Sequence, residues 1–157
     1  MSLLLPQHAD NSYRGHKAAL WLFGLLLLMK AGISLGSIFN GRTAATSADG
    51  IPIDTYTPAG AQTVLSLFAL LGIANLIICV TGVVVLVRYR SLIPFMLALF
   101  LVQQLSRYPV FHFLPIVRTG APPGSAINLT ILGAIVVGLA LSLWSQRGPH
   151  HASASYS

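Results

Sequence analysis

Long apolar segments constrain this chain more than any other feature. Four of them, at about 18–39, 59–87, 92–108 and 126–144, approach the roughly 20 residues that cross a bilayer, although the third is clean only to Leu105. A helix is predicted for each, because a helix satisfies its own backbone hydrogen bonds in lipid. The sequence therefore predicts an all-α integral membrane four-helix bundle with up-down topology.

The composition points to the same class of protein. The chain is 55% hydrophobic and 8% charged, whereas soluble domains carry about 25% charged residues. Its net charge of +6 comes from nine Lys and Arg that stand singly or in pairs, a placement typical of membrane-segment flanks. We therefore expect the lipid bilayer, and no nucleic acid, as a partner. Cys79, the single cysteine, lies in an apolar run and is expected to be a small buried hydrophobe.

Basic residues predict the orientation. Five lie on the two terminal flanks and the second connection: Arg14, Lys17, Arg88, Arg90 and Arg147. The first and third connections carry Arg42, Arg107 and Arg118. This excess places both termini in the cytoplasm of a multi-pass inner (plasma) membrane protein. The expected domains are a cytoplasmic flank at 1–17, one transmembrane domain at 18–144 and a disordered cytoplasmic tail at 145–157.

The N-terminal segment allows a competing interpretation. The basic start, the apolar run Ala18–Met29 and the small residues at Ser34 and Gly36 resemble a signal peptide cleaved after Gly36. Cleavage would leave three spans and remove Lys30. The long basic region and the apolar continuation through Phe39 favour a spanning helix instead.

Lys30 is the unusual residue of the first segment. It lies nine residues before Phe39, about 13 Å below the outer end of a helix. A cation at mid-membrane costs about 2.5–3.5 kcal/mol and usually faces a partner. Gln103 and Gln104 fall at similar depth, so we expect Lys30 to donate to one of them. Such a bond could serve a cavity, or only fix the helix register, and snorkelling remains the other alternative.

Other polar residues gather in the same half of the predicted bundle. Asp49 or Asp54 is expected to fold down and complete the pair with Lys30. The candidate ligand-binding residues are Lys30, Asp54, Ser66, Gln103, Gln104, Arg107 and His112. The segment from Arg107 to Arg118 is expected to lie at the outer membrane–water interface or to cover the helix ends as a lid. Its prolines, Pro109 and Pro115, discourage a continuous helix. The ligand would be a small anion or a quinone-like molecule.

Familiar catalytic motifs are missing from the sequence. It contains no HExxH, P-loop or GxGxxG pattern, and no Asp or Glu lies within a predicted span. We therefore assign no catalytic residue, metal or cofactor, and favour a protein that is not an enzyme.

Small residues mark two helix faces. Gly32 and Gly36 form a GxxxG pattern, and Ala134 and Gly138 form a small-xxx-small pair. Inside the bundle such pairs serve ordinary packing, whereas on its outside they would dock another copy or a membrane-protein partner. The leading prediction is an accessory, assembly or interaction subunit of a membrane complex. The alternative is a binder or transporter of the small ligand described above.

Two stretches carry a family resemblance: "FNGRTAATSADGIPIDTYTPAGAQTV" and "RYRSLIPFMLALFLVQQLSR". They resemble an uncharacterised group of small bacterial four-helix membrane proteins. The layout over residues 18–144, with a basic start to the third helix and an Arg after it, is similar to that of the DoxX-like group. The resemblance implies a four-helix membrane bundle. It brings no catalytic residue that maps onto this chain.

Overall fold

The computed structural model describes residues 11, 13, 15–115, 117–120 and 122–144. The predicted tail at 145–157 and most of the N-terminal flank, with Arg14 and Arg147, lie outside the described residues. All regular elements within the described part are helical.

Five helices form the framework. They are α1 (Lys17–Phe39), α2 (Pro58–Arg88), α3 (Ile93–Leu105), α4 (Arg107–Phe113) and α5 (Pro123–Leu143). Among the described residues, α1, α2 and α5 are long and apolar enough to cross a membrane. The 13 residues of α3 span only about 20 Å at 1.5 Å per residue, less than the roughly 30 Å of a hydrocarbon core. The third predicted span is therefore shorter than the sequence suggested.

Pro109 explains why α3 and α4 are separate. A proline has no N–H to donate to the carbonyl four residues earlier, which is Leu105, and its ring crowds that oxygen. The helix is interrupted at Ser106 and resumes at Arg107. The expected interruption is present, and the chain is helical again through Phe113.

The helix α1 is the centre of the packing. It contacts α2 more extensively than any other pair of helices do and also packs on α5, whereas α3 packs mainly on α5 and much less on α2. The core between them contains Phe23 and Phe100, whose ring centroids lie 5.9 Å apart, together with Leu97 and Ile135. The contact between α2 and α3 is therefore much less extensive than those of α1 with α2 and of α3 with α5. We call it the weaker seam of the bundle.

Backbone and side-chain hydrogen bonds define the two ends of the bundle. At the termini end, His16 N donates to Leu141 O at 3.2 Å and Tyr13 Oη donates to Ser142 Oγ at 3.2 Å. Burial raises the pKa of the Tyr13 hydroxyl, which keeps it a neutral donor at physiological pH. At the loop end, Thr119 N donates to Gly50 O at 2.8 Å and joins the two longer connections.

The connection between α1 and α2 is folded at the loop end. Gly41–Thr43 forms one helical turn, Ala44–Ala48 continues it as a wider turn, and Ile53–Thr55 adds a short 3₁₀ turn. Ala45, Ile51 and Ile53 are buried together beneath these turns. Thr57 then caps α2, because its Oγ1 accepts from Gly60 N at 3.2 Å.

Candidate functional site

Lys30 points into the bundle. Only 8% of the residue is exposed, and its Nζ lies 3.1 Å from Gln103 Oε1. The ammonium also lies 5.0 Å from the centroid of the Phe100 ring, within the range of a cation–π contact. The Lys30–Gln103 contact expected from the sequence is present, and it joins α1 to α3.

The hydrogen bonds continue from Gln103 to a third helix. Gln103 Nε2 donates to Asn75 Oδ1 at 2.6 Å, and Asn75 Nδ2 donates to Leu71 O at 3.0 Å. We call Lys30, Gln103 and Asn75 the Lys30 chain. It bridges α1, α3 and α2 across the weaker seam of the bundle.

The ammonium sets the direction of this chain. Lys30 can only donate, so Gln103 must present its oxygen to it and its amide nitrogen to Asn75. Asn75 must then accept through Oδ1, which leaves its own nitrogen for Leu71 O. Each of the two side-chain oxygens thereby accepts one hydrogen bond. Within the described part of the chain, no carboxylate lies at ion-pair distance from Lys30.

Gln104 belongs to a separate cluster. Its Nε2 lies 3.0 Å from Asn128 O and 3.3 Å from Asn128 Oδ1, and Arg107 Nη1 donates to the same Oδ1 at 2.5 Å. Gln103 and Gln104 serve different neighbours because consecutive helical residues project about 100° apart. This Asn128 cluster, made of Gln104, Arg107 and Asn128, joins α3 and the start of α4 to α5.

The two acidic side chains expected beside Lys30 lie elsewhere. Asp54 pairs with Arg42 on the exposed surface of the loop end, and Asp49 lies against Gly124 at the start of α5. Both stay there because their connection folds into turns over its own small core. The prediction that either carboxylate completes the pair with Lys30 is wrong.

Two further candidate residues stand apart from both clusters. Ser66 is exposed on α2, and His112 is exposed on α4 with its ring against the edge of Phe113 at 5.5 Å. No residue of α4 is buried, and Arg118 stacks on the Phe111 ring at 5.2 Å. The described residues of this segment make no hydrogen bond to Lys30, Gln103 or Asn75.

Asn75 is not among the candidate residues named from the sequence, because counting from the first residue of α2 puts it deeper than Lys30. The reason is that α2 is about 46 Å long at 1.5 Å per residue, well beyond the thickness of a hydrocarbon core. If the first residue of α2 is assumed to lie at the membrane surface, the membrane depth of every later residue of this helix is therefore misjudged. A polar residue at the midpoint of so long a segment was the available signal.

Two of the glycines that bring helices together were not among those the sequence singled out. A Cβ at position 72 would lie 2.9 Å from Ser34 O, and one at position 82 would lie 2.5 Å from Leu27 Cδ2. Gly72 and Gly82 thus allow α2 to approach α1 closely. Together with Cys79 they repeat at spacings of seven and three, a small-residue pattern that the sequence contained.

The predicted small-residue faces divide between inside and outside. Gly138 is buried, with Leu22 and Leu97 3.4 Å from where its Cβ would be, and Ala134 is half-buried beside it. Gly32 and Gly36 have no atom within 4 Å of the corresponding position. The first pair therefore packs within the bundle, and the GxxxG pair faces away from it.

An open depression adjoins the GxxxG pair at the loop end. It has a volume of about 300 Å³ and a mainly apolar lining. Its walls are Gly36, Asn40, Thr43, Ala44, Ser47, Ala48 and Pro123. It is separate from the Lys30 chain.

Comparison with known proteins finds no family model, no curated protein and no solved structure that matches this chain. The resemblance to the DoxX-like layout accordingly stays a prediction.

Proposed function

We propose that this chain is an interaction subunit of a membrane complex, and that it docks a transmembrane helix on the outward face of α1. The observation that carries the proposal is the free GxxxG pair. Among the described residues, no atom lies within 4 Å of where a Cβ on Gly32 or Gly36 would be, although α1 makes the most extensive helix contacts. We call this surface the glycine face.

Glycine at these two positions needs a reason. A glycine inside a helix costs about 1 kcal/mol relative to alanine, and in membranes small residues four apart allow two backbones to pack closely. Within the bundle, Gly72 and Gly82 of α2 allow the close approach of α1 and α2. The glycine face also runs into the depression beside Gly36, which offers a recess for a larger side chain of the docking helix.

A second copy of the chain is the occupant we propose. Two GxxxG faces are complementary to each other, and the same surface on both partners gives a closed two-fold dimer. The exposed Phe39 lies one turn from Gly36 and at the rim of the same surface. In such a dimer it would reach across to the depression of the partner.

We also propose that α3 and α4 together make the fourth crossing. Residues 93–113 would extend about 31 Å as a nearly continuous helix, which matches the hydrocarbon core. The bonds between His16 and Leu141 and between Thr119 and Gly50 support an even number of crossings. Together with the positive-inside rule, they support both termini in the cytoplasm of an inner-membrane protein.

The test is co-purification of two differently tagged copies expressed in one cell. Gly32→Ile adds bulk where the bundle leaves open space, so it should reduce co-purification by about tenfold or more without altering the fold. Gly133→Ile is the matched control, because Gly133 on α5 also has nothing within 4 Å but belongs to no GxxxG pair. Equal behaviour of the two variants, or no self-association of the parent, would contradict the proposal.

A further inference from the structure

We infer that the Lys30 chain binds the carboxylate of a membrane-soluble acid, which reaches it from the bilayer between α2 and α3. The inference does not depend on the glycine face, which lies on other residues.

The hydrogen-bonding capacity left in the Lys30 chain is mainly that of N–H donors. An ammonium has three N–H groups and a side-chain amide has two. Lys30 uses one on Gln103, Gln103 uses one on Asn75, and Asn75 uses one on Leu71 O. The side-chain oxygens of Gln103 and Asn75 each accept one of these bonds. Two N–H groups of Lys30 and one on each amide are not used in these bonds, so the site can donate several hydrogen bonds to a ligand that brings acceptor oxygens.

The charge of the site favours an anion over a neutral acceptor. Among the described residues Lys30 has no carboxylate partner, and Arg107 adds to the positive potential around it. The face of Phe100 offsets the charge only in part. In a medium of low dielectric constant, the electrostatic attraction between an anion and the ammonium is far stronger than it would be in water.

The route to the site follows the weaker seam. Gln103 and Asn75 are half-buried, so this end of the Lys30 chain lies at the surface of the bundle, next to the buried Lys30. On either side of the seam, Leu71 and Val102 are more than half exposed and offer apolar surface to a hydrocarbon tail. Since Lys30 lies about 13 Å from the end of α1, the ligand must partition into the bilayer to reach it. A fatty-acid-like carboxylate has both properties.

The experiment is native mass spectrometry of the full chain in mild detergent with dodecanoate as the probe and dodecanol as the neutral control. We expect a one-to-one dodecanoate complex that dodecanol does not form. Lys30→Met should weaken it by about tenfold or more, whereas Lys17→Met, which removes an exposed lysine of the same helix, should change it by less than about twofold. Equal binding of acid and alcohol, or retention in Lys30→Met, would overturn the inference.

A second variant separates ligand binding from a structural role of Lys30. Gln103→Glu places a carboxylate beside the ammonium, and Asn75 can turn its amide to donate to it. It should raise the midpoint of thermal unfolding and abolish dodecanoate binding, because the internal anion occupies the site. A folded Gln103→Glu variant that still binds dodecanoate would overturn the inference. Gly32→Ile should bind dodecanoate like the parent, so failure of either proposal leaves the other intact.

Discussion

At the scale of single residues, Lys30 and Gln103 differ in the free energy that it takes to place each side chain in the membrane. The lysine is a charge in an apolar setting, and insertion of such a charge costs about 2.5–3.5 kcal/mol. The amide is neutral and keeps a second bond, to Asn75. Removing one member of the pair therefore has a different effect from removing the other.

We expect Gln103→Leu to lower the free energy of unfolding by about 1–3 kcal/mol, because it leaves a buried ammonium without its acceptor. Lys30→Met should change it by less than about 1 kcal/mol, since the lost interhelical bond is offset by removal of the buried charge. Thermal or denaturant unfolding in detergent measures both. A Lys30→Met variant that is the less stable of the two would show that the ammonium holds the helices together.

Gly72 makes a second prediction at this scale. Gly72→Ala should destabilise the fold by about 1–3 kcal/mol, because its Cβ meets the backbone oxygen of Ser34, which cannot move aside as a flexible side chain can. Gly133→Ala, in open space on α5, should alter stability by no more than about 1 kcal/mol. Unfolding of the two variants under identical conditions is the measurement. Equal effects would mean that α1 and α2 are not held at this close approach.

Depth along a helix predicted that Lys30 donates to Gln103 or Gln104, and the structure selects Gln103. It failed for Asn75 because it assumes that each helix begins at the membrane surface, and α2 is too long for that. It also failed for Asp49 and Asp54, since the position of a loop residue depends on how its own segment packs. Depth counting was therefore useful for helices of about membrane thickness, and it failed for the longer α2 and for the connections.

At the scale of elements, the division between α3 and α4 follows from Pro109. The sequence contained this information, because the consequence of a proline for the preceding turn is local. The helical turns between Gly41 and Ala48 were not predictable in the same way. Their stability depends on burying Ala45 with Ile51 and Ile53, which is visible only once the segment is folded.

Pro109→Ala should join α3 and α4 into one helix. The new amide at position 109 can donate to Leu105 O, so hydrogen exchange around residues 106–110 should slow by about tenfold, equivalent to 1.4 kcal/mol of added protection. Pro58→Ala is the control, because a proline at the first position of α2 has no helical partner to lose. Unchanged exchange in Pro109→Ala would assign the interruption to packing and not to the proline.

At the scale of the whole molecule, the two ends of the bundle differ in chemistry. The described termini end carries exposed Lys17, Arg88 and Arg90, and the loop end carries the Arg42–Asp54 pair. An even number of crossings would leave His16 and Trp144 on the same side of the membrane. This arrangement depends on α3 and α4 crossing together.

Single cysteines introduced into a Cys79→Ala background test the arrangement. An impermeant maleimide should label Thr55→Cys in intact cells, and should label Lys17→Cys and Trp144→Cys only after the cells are permeabilised. All three positions are exposed. Labelling of Lys17→Cys and Trp144→Cys from opposite sides would show that α3 and α4 do not cross the membrane.

The sequence by itself determined that this is a helical protein with membrane-spanning segments, and roughly where its long helices lie along the chain. Apolar runs, basic flanks and prolines act locally or through the bilayer, so their effects can be counted along the chain. Only the tertiary structure decided which surfaces meet. Gly72 and Gly82 pack against α1, whereas the sequence drew attention to Gly32 and Gly36. The difference arises because all the contacts of a helix together decide which of its faces turns inward. The same contacts placed Asn75 beside Gln103 and, among the described residues, put no carboxylate at ion-pair distance from Lys30.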